Sequence, residues 1–70
     1  MTDEEHDLLQ LIYAETLGRV GKWVALTELP LAALALERNG YITVVQGGSA
    51  IWHVTLTESG RALALQLTAK

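Results

Sequence analysis

Leu36–Leu63, LERNGYITVVQGGSAIWHVTLTESGRAL, is the stretch whose reading decides the fold. Leu36-Glu37-Arg38-Asn39 closes an apolar helical run, and Gly40 follows where a left-handed residue ends a helix. Tyr41-Ile42-Thr43-Val44-Val45 is β-branched and aromatic, which suits a strand. Gln46-Gly47-Gly48-Ser49-Ala50 is turn chemistry, with two glycines able to take positive φ. Ile51–Leu56 is the return strand, with Trp52, Val54 and Leu56 on one face and Ile51, His53 and Thr55 on the other. Thr57 is placed to cap a final helix, Glu58–Ala69, whose first turn carries Glu58 at the positive end of the helix dipole.

Taken together, Leu36-Glu37 with Gly40-Tyr41-Ile42, then a hairpin, then Leu56-Thr57 with Gly60-Arg61 and Leu63, resemble the second half of winged-helix regulators. Those domains often read L-E-x-x-G-hydrophobic-I, wing, L-T-x-x-G-R-x-L. The resemblance is confined to residues 36–63 and rests on the order and spacing of both halves. It implies that the hairpin 41–56 is the wing and that the helix before it enters a DNA major groove. It implies a transcriptional regulator acting as a dimer.

Working outward, the N-terminus opens with Thr2 and Glu5 at capping-box spacing, and a helix is expected over Asp3–Leu17, ended by Gly18. Leu8, Leu11 and Ile12 lie close on one face of it. Arg19-Val20-Gly21-Lys22 is a turn, and Trp23–Leu26 is expected to be a short strand, with Trp23 covering an edge of the core. Thr27 is expected to cap a second helix over Glu28–Asn39, with Pro30 tolerated in its first turn. The expected class is α+β: one domain over residues 1–70, three helices and a small antiparallel sheet.

Two features depart from the winged-helix pattern. Regulators of this type place two helices between the first strand and the L-E-x-x-G signature, whereas Glu28–Asn39 holds one, about 18 Å long. Leu31-Ala32-Ala33-Leu34-Ala35-Leu36 is also apolar on every side, while a base-reading helix needs Arg, Asn, Gln, Ser or Lys toward the groove. Only Arg38 and Asn39, at its far end, have that chemistry. The wing tip has no Lys or Arg.

Charge divides in the same way. The net charge is −3, and Asp3, Glu4, Glu5 and Asp7 supply half of the eight acids. Residues 8–70 hold four acids against five bases, so the body is near neutral. Strong non-specific DNA affinity is not expected from such a balance.

The chain has 70 residues, near the lower limit for a self-sufficient core, and no cysteine to staple it. A partner chain is one source of the missing stability. The acidic start argues against a signal peptide, and the uncharged Asn39–Thr57 stretch alternates and holds three glycines, unlike a membrane span. A cytoplasmic protein is expected. His6 and His53 have no partner at metal-ligand spacing, and neither Ser49 nor Ser59 sits in a nucleophile elbow. No enzyme activity, metal or cofactor is therefore expected.

Two functions remain open. As a winged-helix DNA-binding regulator, the protein would use Arg19, Lys22, Arg38 and Arg61 on phosphates, with Asn39, Gln46 and Ser49 near the grooves. As a non-enzymatic interaction module on the same scaffold, it would use apolar positions Leu31, Ala32 and Ala35 on one helix and Ala62, Leu65 and Ala69 on the last, against a second copy or a protein partner.

Overall fold

A computed structural model describes residues 2–48 and 50–68. Among the described residues the elements run α1 (Asp3–Thr16), β1 (Trp23–Leu26), α2 (Leu31–Arg38), β2 (Ile42–Gln46), β3 (Trp52–Leu56) and α3 (Glu58–Thr68). The strands form one antiparallel sheet in the order β1-β3-β2. This is the small α+β domain expected from the sequence, with the hairpin where the alternation places it.

α1 begins as its capping box dictates. The Glu5 amide donates to Thr2 Oγ1 at 3.2 Å, and the Thr2 amide donates to Glu5 Oε2 at 3.1 Å. These bonds satisfy amides that lack partners inside the helix. The helix ends one residue sooner than expected. Leu17 takes the left-handed conformation at φ 54°, and the Gly18 amide donates to Tyr13 O at 2.9 Å. Gly18 is left-handed too, and a Cβ there would press on the Tyr13 ring.

α2 corrects the expected helix over Glu28–Asn39. Thr27 caps nothing: the helix starts at Leu31, with Pro30 as an N-cap that makes no side-chain bond. The ring of Pro30 pushes Leu29 out of helical conformation, so no turn propagates back through it. Eight residues remain, about 12 Å of helix. At the other end Gly40, φ 80°, lets the Tyr41 amide donate to Leu36 O at 2.9 Å and turn the chain into β2.

Thr57 joins the two halves of the signature. Its hydroxyl accepts from the Gly60 amide at 3.1 Å, capping α3, and donates to Gly40 O at 2.6 Å. The capping expectation thus holds, and the same residue clasps the end of α2.

The core is the layer between helices and sheet. Leu9 and Ile12 of α1, Ala33 and Leu36 of α2, Ile42, Val54 and Leu56 of the sheet and Ala64 of α3 are all buried. Val24, Leu26 and Val44 pack against it from the inner face of the sheet. Trp23 does not cover a core edge as expected. It pairs with Thr55 on the register, alternates with the inward Val24, and stands 49 % exposed. No helix among the described residues is long and apolar enough to cross a membrane.

Candidate functional site

The register locates the cations. β1 and β2 both run antiparallel to β3, so both begin at the end of the sheet where β3 finishes. Lys22 immediately precedes β1, Arg38 and Asn39 lie just before β2, and Arg61 lies in the first turns of α3, just after β3. Arg61 Nε donates to Gly18 O at 3.0 Å, which brings the Arg19 backbone to the same end. Arg19, Lys22, Arg38 and Arg61 are therefore gathered around one end of the sheet. The hairpin turn, closed by the Gly47 amide donating to Ile51 O at 2.9 Å, is at the other. Gln46 belongs to the turn end, apart from the cations, and Ser49 lies outside the described residues. Among the described residues, the hairpin turn and the bases lie at opposite ends of the sheet.

The outer side of α2 is apolar. Ala32, Ala33 and Leu36 are buried, whereas Leu31 is 81 % and Leu34 41 % exposed. The burial of Ala32 corrects its assignment to an interface: it is packed inside this fold. Ala35 is half-buried, and Arg38 is exposed at the C-terminal end of the same side. Methyl groups at Leu31 and Leu34 have nothing with which to hydrogen-bond a base edge. On α3, Ala62 is exposed and Leu65 is 39 % exposed, while Ala69 lies outside the described residues. α2 and α3 each pack against α1.

A further surface escapes the sequence reading. The outer face of the sheet carries Trp23 and Ala25 from β1, His53 and Thr55 from β3, and Thr43 and Val45 from β2. Trp23 and His53 meet edge-on, with ring centroids 6.5 Å apart and planes at 69°. With Val45 they line an open concavity of about 300 Å³. Gly47 serves this arrangement. Gly47 and Gly48 do not use the positive φ open to them; instead a Cβ on Gly47 would overlap the His53 imidazole. Thr55 is 8 % exposed on this face, and its hydroxyl has no partner among the described residues. The alternation in Trp23–Leu26 and Ile51–Leu56 held the signal for this face, but only the register shows that Trp23 and His53 are on the same side.

Among the described residues no three of His, Asp and Glu are grouped as metal ligands. No protein-family model, curated protein or solved structure matches the chain.

Proposed function

We propose that the protein is a non-enzymatic protein-interaction module on a winged-helix-like scaffold, acting in the cytoplasm. The observation that carries this reading is the outer side of α2. The position that would enter a DNA groove presents Leu31 and Leu34. Exposed leucines on one helix gain free energy by leaving water, at about 25 cal/mol per Å² of apolar surface, and a protein surface offers that exchange. A major groove offers mainly polar edges. The base-free turn and the net charge of −3 support the same conclusion.

A DNA-binding regulator is the second reading. It is favoured by the resemblance over residues 36–63 and by the grouping of Arg19, Lys22, Arg38 and Arg61 at one end of the sheet. In that case DNA would lie across the end of the sheet where β3 finishes, opposite the hairpin turn, and not along the wing.

A salt series of duplex-DNA titrations separates them. The interaction module shows no affinity even at low salt. The regulator shows binding whose logarithm falls linearly with the logarithm of salt, steeply enough to count several phosphates.

A further inference from the structure

We infer that β2 is a self-association strand: a second copy of this chain pairs with it antiparallel, across a two-fold axis through Val45, to make a continuous six-stranded sheet. This contact is separate from the outer side of α2, and the two are tested separately.

β2 is an edge strand. The Thr57 amide donates to Tyr41 O and the Gly47 amide to Ile51 O, so the odd-numbered residues of this strand turn their backbone groups toward β3. The alternation of an antiparallel ladder turns the even-numbered ones outward. Ile42 is 2 % exposed and therefore covered. Val44 is half-buried and Gln46 exposed, and among the described residues their outward amides and carbonyls have no backbone partner, so they form the open part of the edge. An unpaired row of this kind accepts another strand unless charge, proline or a bulge prevents it.

β2 has none of those protections. Residues 39–57 contain no Asp, Glu, Lys or Arg, and Pro30 is the only proline in the chain. β1, the other edge, is only four residues long and is followed closely by Glu28 and preceded by Lys22. Self-pairing therefore meets no like-charge repulsion at β2.

A two-fold contact must present the same patch twice. With the axis through Val45, Val44 of one copy stands opposite Gln46 of the other. Both have outward backbone groups, so the two such pairs exchange hydrogen bonds. Between them the two Val45 side chains face each other in a non-hydrogen-bonded pair, where Cβ atoms approach to about 4.5–5.5 Å. Val45 is 46 % exposed and stands on the rim of the Trp23–His53 concavity. Pairing brings a second Val45 alongside that rim. So small a contact belongs to the weak, transient class of interfaces, below about 1,200 Å².

Analytical ultracentrifugation of the full chain up to roughly 1 mM, the scale of a weak complex, tests this with Val45→Lys and Val45→Glu. Each places like charges face to face and is expected to weaken self-association at least tenfold. An equimolar mixture of the two places Lys against Glu and is expected to restore it. Hydrogen exchange on the unaltered protein is the second readout: the Val44 and Gln46 amides should gain protection as concentration rises, and the Val45 amide should not. A wild-type protein that stays monomeric to 1 mM overturns the inference. So does a Val45→Lys protein that associates like wild type, or a mixture that does not recover. If Leu31→Glu/Leu34→Glu dissolves a dimer that Val45→Lys leaves intact, the copies meet through α2, which overturns the β2 contact and leaves the interaction reading standing.

Discussion

Gly60 of α3 rests directly on the carbonyl of Tyr41: a Cβ at Gly60 would overlap the Tyr41 oxygen. That oxygen already accepts from the Thr57 amide at 3.2 Å, so it has no freedom to move aside. The glycine of the L-T-x-x-G-R segment is thus a packing requirement, not a turn. Gly60→Ala is expected to lower stability by at least about 1–3 kcal/mol, the usual range for overpacking. Chemical denaturation with an unchanged slope would register it. A neutral substitution would mean that α3 sits elsewhere.

Arg61, the next residue, is the tie between α3 and the end of α1. Its Nε bond to Gly18 O spans two segments far apart in sequence. Arg61→Ala is expected to cost about 1 kcal/mol, the net worth of one such bond, and to leave the fold intact by circular dichroism. A loss near zero would mean that solvent replaces the contact freely.

Gly47→Ala should act on the outer face of the sheet rather than on stability. The added methyl displaces the imidazole of His53, which borders Trp23. The side chain can swing outward, so the cost is expected to stay below about 1 kcal/mol, as for most surface substitutions. Tryptophan fluorescence should shift, because Trp23 loses its edge-on partner. An unchanged spectrum would separate Gly47 from that pair.

Glu5 sets an acid-sensitive contribution to α1. Its carboxylate accepts from the Thr2 hydroxyl and the Thr2 amide, and these bonds hold its pKa below the ordinary glutamate value. A carboxyl with a depressed folded pKa contributes stability that is present above its unfolded pKa and is lost as pH falls through the folded one. Thermal melts from neutral pH downward should show that loss below the usual glutamate range. Glu5→Gln should flatten this part of the profile. If the substituted protein keeps the same acid slope, the capping box does not carry it.

The parts of the fold legible in the sequence are those set by local rules. Thr2 and Glu5 announce a capping box, Gly40 a left-handed helix end, and Trp52, Val54 and Leu56 a half-buried strand; each needs only its neighbours to be read. Pro30 was legible in principle, since its effect on Leu29 is local, but a plausible cap at Thr27 competed with it. The rest depended on contacts between distant segments. Ala32 looks the same as Ala35 in an apolar run, and only the packing of α2 against the rest of the fold separates a buried position from a half-buried one. Trp23 and His53 are thirty residues apart, and the register alone brings them together. The small volume allowed at Gly47 and Gly60 comes from His53 and Tyr41 across the fold. The cations illustrate the same limit: Arg19, Lys22, Arg38 and Arg61 are scattered along the chain, and strand direction gathers them away from the hairpin turn.

The outer side of α2 gives the most direct measurement. A photo-crosslinking side chain placed at position 31, where Leu31 stands 81 % exposed, should leave the fold unperturbed and report what touches the helix in the cell. The account predicts protein adducts, either with a second copy or with another chain, that vanish when Leu34 is replaced by Glu. Adducts to nucleic acid, or none to any macromolecule, would contradict it.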